Sequence, residues 1–213
     1  MGRVHKLFVS HIYREELQRG EGSRLVSEVA MAANEIAAED RAGHIWSREN
    51  DYPGYTSYAS LNDLPERHPA FGDLVRVLDR HVARFAKLLE LDLDGRALCL
   101  DSLWINILAP GGHHAAHIHP HSVVSGTLYL VVPKDASAIK FEDPRLAMLM
   151  AAPLRKASAR EENRTFVSFA PVPGTLLLWE SWLRHEVPVN HAKRERVSVS
   201  FNYSWGSNHS PTR

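Results

Sequence analysis

Three histidines, at positions 117, 119 and 185, have the residue type and the spacing to hold a metal ion. His117 and His119 are two residues apart. Side chains two apart on an extended strand lie on the same face, so the two imidazoles would stand side by side. Two glycines precede the pair and Pro120 follows it, which favours an extended backbone. His185 can supply a third imidazole. This ligand type suits Fe(II), Zn, Cu, Ni and Mn to different degrees, so it does not identify the ion.

Other histidines nearby are weaker candidates for metal binding. His113, His114 and His121 are expected to be surface or hydrogen-bonded residues, because a single histidine is more often one of these than a ligand. His191 is a rival to His185 for the third position. It lies in a polar, turn-like stretch, which predicts a solvated side chain.

A second candidate site begins eleven residues after His185, at Arg196. The strand that Arg196 opens alternates in character, so Arg196 and Ser198 point the same way. An arginine fork binds a carboxylate through two hydrogen bonds, and a hydroxyl two residues on can donate to the same group. The alternative is the solvent face of an amphipathic edge strand. Beside a three-histidine cluster, a carboxylate anchor is the better interpretation.

The predicted secondary structure changes near residue 95, from mainly helical to mainly β. Before it, helical patterns run from about Ser23 to Asp40 and through Phe71–Leu88, and Met1–Tyr13 is interpreted as an edge or framing strand. After it, short β-rich runs divided by Pro and Gly predict a sandwich or jelly roll. Arg145–Asn163 is a long excursion and a candidate lid. The predicted strands are Ala97–Leu108, Ser125–Val132, Ile139–Glu142, Phe166–Phe169, Thr175–Trp179 and Val197–Tyr203.

The composition of the chain excludes several classes of partner. Lys and Arg together number 25, as do Asp and Glu, so no global field favours nucleic acid or an anionic membrane surface. No apolar stretch is long enough for a membrane span or a signal sequence. The single cysteine, Cys99, lies in an apolar run and is expected to be buried, in keeping with a reducing cytosol. These features predict a cytoplasmic protein.

Together, these residues resemble the 2-oxoglutarate/Fe(II)-dependent oxygenases, and within them an uncharacterised, mainly bacterial and phage subgroup. The resemblance covers about residues 100–205 and depends on the ensemble, since any one fragment is weak. The motifs that carry it are Trp104-x-Asn106, His117-x-His119-Pro120, Ser125-Gly126-x-x-Tyr129, Phe141-Glu142-Asp143-Pro144-Arg145, Pro173-Gly174, Trp182-x-x-His185 and Arg196-Val197-Ser198-Val199-Ser200-Phe201-Asn202-Tyr203.

The resemblance implies a fold, an activity and a set of roles. The fold is a mainly β double-stranded β-helix, a cupin-like jelly roll, at residues 96–205, with residues 1–95 as N-terminal strand and supporting helices and 206–213 as a loose tail. The activity is hydroxylation of an unidentified substrate with dioxygen and 2-oxoglutarate, releasing succinate and carbon dioxide. Iron would lie at the three histidines, and Arg196 and Ser198 would hold the cosubstrate carboxylate. Tyr129 and Asn106 are further candidate contacts to the cosubstrate.

One departure from the family pattern bears on the metal. Most members carry Asp or Glu where this chain has His119, so the ligand set here is neutral and its hold on a divalent cation is weaker. Asp143 or Glu186 is an alternative source of a carboxylate. Asp143 has an equally good explanation as a turn residue. Glu186 adjoins His185, and on an extended chain it points away from it.

Two other classes of function compete with the oxygenase. A cupin-type three-histidine metalloenzyme that does not use 2-oxoglutarate would share the fold, and the orientation of Arg196 separates the two. A non-catalytic module with structural zinc would need a fourth protein ligand, for which His114 or His121 is the candidate.

Overall fold

The computed structural model describes residues 2–18 and 20–205 and shows two antiparallel β-sheets with a helical layer. The predicted tail at 206–213 lies outside the described residues. The helices are α1 (Glu21–Glu39), α2 (Arg41–Glu49), α3 (Leu64–Arg67) and α4 (Pro69–Leu88). The strands are β1 (Ile12–Glu16), β2 (Gly54–Thr56), β3 (Leu98–Leu108), β4 (His114–His117), β5 (Val124–Val131), β6 (Ile139–Glu142), β7 (Phe166–Phe169), β8 (Thr175–Glu180), β9 (His185–Val187) and β10 (Arg196–Trp205).

The strands form a large and a small sheet. The large sheet has the order β1-β8-β5-β10-β3-β2, and the small sheet has the order β4-β9-β6-β7. Every pairing in both is antiparallel. The prediction of a mainly β, double-stranded β-helix with N-terminal helices is confirmed. Among the described residues, no helix is both long and apolar enough to cross a bilayer.

Helices α1 and α4 cover the outer face of the large sheet. Helix α4 begins where the His68 side chain accepts a hydrogen bond from the Ala70 amide, with Pro69 at its first position, where a missing N–H costs nothing. Its apolar residues recur on one face and are buried. They pack with α1 and the outward-facing side chains of the large sheet in a core that includes Val29, Ala33, Leu74, Leu78, Phe85, Ile105, Leu128, Val199 and Phe201.

The strand β10 lies in the middle of the large sheet, between β5 and β3. Val197, Val199 and Phe201 face the helical core, and the alternate side chains face the space between the two sheets. Both faces of β10 are therefore covered, so the interpretation of this strand as a solvated edge is wrong. A second core lies between the sheets, formed by Tyr129, Ile139, Phe141, Leu177, Trp179 and Leu183.

Some local expectations are corrected by the structure. The N-terminal strand is confined to Ile12–Glu16, and Phe8 is 93% exposed because no described strand pairs with the backbone of residues 2–11. Cys99 is exposed rather than buried, because Leu98 and Leu100 turn toward the helical core and the residue between them points away. The predicted excursion is present as mostly exposed chain with two 3-10 turns, and it does not line the cavity between the sheets.

Candidate active site

The three predicted histidines meet at the small sheet. His117 ends β4 and His185 begins β9, and the two residues face each other in the antiparallel register. His119 lies in the loop after β4, where its amide donates to the carbonyl of Ser181 at 3.0 Å. One ring nitrogen of each histidine lies within 4.8 Å of the others. The structure therefore brings together the three residues that the sequence singled out.

Two of the imidazoles are oriented by hydrogen bonds to the backbone. His117 Nδ1 donates to the carbonyl of Ala115 at 2.7 Å, and His185 Nδ1 donates to the carbonyl of Leu183 at 2.9 Å. A carbonyl can only accept, so Nε2 is the ring nitrogen left to bind a metal ion in both residues. Burial lowers the pKa of His185 to about 3, and burial with the neighbouring His117 lowers the pKa of His119 to about 4.

The spacing of the ring nitrogens also suits a shared ion. The Nε2 atoms of His119 and His185 are 3.3 Å apart. Two imidazole nitrogens bound at right angles to one ion, each with a bond of about 2.1 Å, lie about 3 Å apart. Two lone pairs facing each other at this distance repel unless a cation or a proton lies between them. The donor set therefore fits a divalent metal ion.

Neither alternative carboxylate joins this cluster. Asp143 accepts two hydrogen bonds at 2.9 Å from the side chain of Arg145, and Glu186 accepts one at 2.8 Å from Lys140. Neither lines the cavity, since Glu186 points to the opposite face of its strand from His185. His191 is exposed in the turn before β10 and is also remote from the cluster. Among the described residues, the cluster thus consists of three imidazoles and no carboxylate.

The cluster opens into a cavity of about 790 Å³ between the sheets, and Arg196 lines the same cavity. The guanidinium is 2% exposed, and its Nη1 donates to the carbonyl of Ser137 at 3.0 Å. Its Nε has no hydrogen-bond partner, and it pairs with no carboxylate of the described residues. A buried charge without a counter-charge is costly, so this end of the cavity is built for an anion.

Ser198 and Tyr129 stand beside this arginine. Ser198 is buried on the same face of β10, one step along the strand, and it also lines the cavity. The Arg196 guanidinium lies 5.3 Å from the centre of the Tyr129 ring. Burial raises the pKa of Tyr129, so its hydroxyl stays protonated and can donate a hydrogen bond.

Asn106, the fourth predicted cosubstrate contact, is held in a polar network. Its amide oxygen accepts hydrogen bonds from Tyr52 at 3.2 Å and from Thr56 at 3.1 Å, and its Nδ2 donates to Ser200 at 3.1 Å. Both lone pairs of the oxygen are used, but one of the two N–H bonds of the amide has no partner in the described part of the chain. Asn106 lines the cavity and can offer that N–H to a ligand.

Sequence reasoning missed two residues at the Arg196 end of the cavity. The hydroxyl of Tyr52 lies 2.9 Å from Nε2 of His114, and both side chains line the cavity. Tyr52 lies in the loop before β2, and no local motif distinguishes it. His114 was set aside as hydrogen-bonded, which it is. A register irregularity between His114 and His117 lets both face the cavity although three residues separate them.

The cavity mouth is aromatic. Trp104 lies 6.0 Å from the ring of His119 and 5.3 Å from the ring of Tyr58, measured between ring centres. Trp179 packs edge-on against His185 at 4.8 Å, and its buried indole N–H has no partner among the described residues. Trp182 is half-exposed and does not line the cavity. Trp104 and Trp179 therefore form part of the cavity wall.

Two sheets thus enclose a cavity in which three imidazoles converge and a guanidinium is buried, an arrangement that suits a metal ion and an anion. Residues 102–202 match the family described as "Putative 2OG-Fe(II) oxygenase". This part of the chain is thus similar to the 2-oxoglutarate/Fe(II)-dependent oxygenases, in agreement with the motif resemblance. The match spans every candidate site residue named from the sequence, from Asn106 to Ser198.

Solved structures with the same fold come from several enzymes. A prolyl-4-hydroxylase from Pseudomonas putida is 18% identical, with a TM-score of 0.59 over 91% of this chain and 92% of that one. The epimerase SnoN of nogalamycin biosynthesis is 17% identical, with a TM-score of 0.61 over 92% and 76%. A prolyl hydroxylase from Trichoplax adhaerens is 15% identical, with a TM-score of 0.58 over 91% and 83%. Identities this low establish the fold alone. No curated protein matched the sequence.

Proposed function

We propose that this protein is an Fe(II)- and 2-oxoglutarate-dependent dioxygenase that hydroxylates its substrate and releases succinate and carbon dioxide. His117, His119 and His185 hold the iron, and Arg196 with Ser198 binds the distal carboxylate of the cosubstrate. One observation carries the proposal. A buried arginine without an anionic partner lines the same cavity as a three-imidazole cluster.

Different residues of the chain have different roles in such a reaction. Fe(II) at the three imidazoles would couple the oxidative decarboxylation of 2-oxoglutarate to the insertion of one oxygen atom into a C–H bond of the substrate. Arg196 neutralises the distal carboxylate of the cosubstrate and fixes its distance from the histidines. Tyr129 donates a hydrogen bond to the same carboxylate, and Tyr52 and His114 close the space around it. Asn106 keeps the adjoining polar wall rigid through its hydrogen bonds to three neighbours.

A cupin-type metalloenzyme without 2-oxoglutarate remains the second candidate. The neutral three-histidine set favours it, because the usual carboxylate ligand is missing. The position of Arg196 opposes it, because such an enzyme needs no buried anion site beside the metal. A closed zinc site has less support. Among the described residues only three ligating side chains converge, and the Nε2 atom of His114 is occupied by Tyr52.

The decisive experiment measures the formation of succinate. Loading with Fe(II) and 2-oxoglutarate under nitrogen should give a weak visible charge-transfer band. Admitting air should then give slow succinate formation even without a substrate. The matched controls are the same protein with Zn(II) and the His185→Ala variant, both of which should give none. If succinate from the iron-loaded protein does not exceed these controls, the oxygenase assignment fails and the cupin-type candidate takes its place.

A further inference from the structure

The outer part of the cavity carries an unpaired carboxylate. Its floor follows β10, from Arg196 at one end to Asn202 at the other, six residues or about 20 Å of strand. The five-carbon cosubstrate occupies the Arg196 end alone. Apart from imidazoles, the described side chains that line the cavity carry full charge at two positions, Arg196 and Asp101. The cavity is therefore positive at its closed end and negative at its mouth.

The position of Asp101 is set by a β-bulge. In the pairing of β3 with β10, Ser102 faces Asn202 and Leu100 faces Tyr203, so Asp101 has no partner. The extra residue reverses the alternation of the strand. Leu100 packs toward the helical core, and both Asp101 and Ser102 line the cavity. Bulges of this kind re-aim side chains next to active sites.

Asp101 has no counter-charge of its own. It forms no ion pair or hydrogen bond with a described residue, although the described chain contains ten ion pairs, most of them on its surface. No lysine or arginine of residues 2–18 and 20–205 lines the mouth of the cavity. An anionic substrate would therefore meet repulsion there, whereas a cation would be attracted.

An apolar platform lies between Asp101 and the metal cluster. Trp104 is on the same strand, its ring lies 6.0 Å from that of His119, and Tyr58 packs against it edge-on. Trp46 of α2 lines the same mouth. Aromatic faces bind aliphatic carbon and attract cationic nitrogen. A molecule held on Trp104 has its carbon next to the imidazoles, where the reaction would occur.

We infer that the substrate of this protein is a small organic cation, with its ammonium group at Asp101 and its adjoining carbon chain on Trp104. This inference rests on the proposed function, because it assumes that the bound cation is the molecule that reacts. Binding of the cation itself does not need iron or 2-oxoglutarate. The cosubstrate anion and the substrate cation thus bind at opposite ends of one cavity.

The test compares two probes of the same shape, n-pentylamine and 1-pentanol. Their binding to the full chain is followed by saturation-transfer NMR at pH 7.5, without added metal. The amine should bind about threefold to tenfold more tightly than the alcohol, as expected for a partly exposed ion pair with an aromatic contact. The Asp101→Asn variant should bind the two probes equally. The Asp101→Glu variant should keep the preference.

A matched control removes a carboxylate elsewhere. Asp94 is exposed in the turn before β3, and Asp94→Asn should leave the preference for the amine unchanged. Equal binding of amine and alcohol by the unaltered protein would overturn the inference. So would an amine preference that survives in Asp101→Asn. Either outcome leaves succinate formation untouched, and a protein that forms no succinate can still show the amine preference, so the two proposals fail separately.

Discussion

Replacing Arg196 with methionine separates a ligand-binding role from a structural one. Methionine fills a similar space without charge and adapts to its surroundings. Removing one partner of a buried, hydrogen-bonded charge pair costs about 2–5 kcal/mol of binding free energy. At about 1.4 kcal/mol for each factor of ten, 2-oxoglutarate should bind at least about thirtyfold more weakly. Metal binding at the three histidines should be unchanged.

The Arg196→Met substitution should have only a small effect on the free energy of unfolding. The substitution leaves the carbonyl of Ser137 without its donor, which costs about 1–3 kcal/mol. It also removes a buried guanidinium whose Nε has no partner, which is a gain. The two effects oppose each other, so the free energy of unfolding without ligand should change by less than about 2 kcal/mol.

Two measurements check the predicted affinity and the predicted stability. Calorimetric titration under nitrogen gives the affinity for 2-oxoglutarate, and urea unfolding gives the stability of the ligand-free protein. The control is Arg184→Met, which removes an exposed arginine that pairs loosely with Glu142 at 3.4 Å. It should change neither quantity. The reasoning is refuted if Arg196→Met binds 2-oxoglutarate as the control does, or if it unfolds with a loss above about 4 kcal/mol.

Two further substitutions test the metal site and the packing of the sheet. His119→Asp places a negative charge beside the ion and should tighten Fe(II) binding about tenfold relative to the neutral His119→Asn, measured by anaerobic titration; equal affinities would show that this position does not bind the metal. Gly126→Ala should lower the free energy of unfolding by about 1–3 kcal/mol, because a Cβ there meets the Phe201 ring and the Leu178 side chain. The control Gly72→Ala, in helix α4, should be neutral or stabilising in the same urea titration, because a Cβ there makes only an ordinary van der Waals contact with the Pro65 carbonyl oxygen at 3.7 Å.

The parts of the site that could be predicted are those that depend on a regular period. Arg196 and Ser198 share a face because β10 pairs regularly with β3 between them, although its pairing with β5 shifts register there, and the structure places both in the cavity. The strands Ile139–Glu142 and Phe166–Phe169 have the bounds that their composition indicated. His117 and His119 converge although the strand ends between them, and the hydrogen bond from the His119 amide to the Ser181 carbonyl holds the loop in place there.

The parts that could not be predicted depend on irregular geometry or on distant pairing. A β-bulge places the Asp101 side chain in the cavity, and a second irregularity places His114 on the same side as His117. A strict two-residue alternation predicts neither position. Tyr52 reaches the site because β2 pairs with β3 across about fifty residues of chain. Such a contact has no local pattern. The exposure of Cys99 follows from the same bulge, which decides which residues of β3 face the helices.

The spacing of the residues along β10 limits which 2-oxo acids the cavity could be altered to bind. Positions on one face of a strand are about 6.5 Å apart, which is several times the length that one carbon adds to a chain. Moving the arginine from position 196 to position 198 would therefore shorten the space by far more than one carbon, and would exclude the five-carbon acid altogether. Discrimination between 2-oxo diacids that differ by one carbon must come from the length of the side chain at position 196 and from Tyr129 and Ile139 beside it.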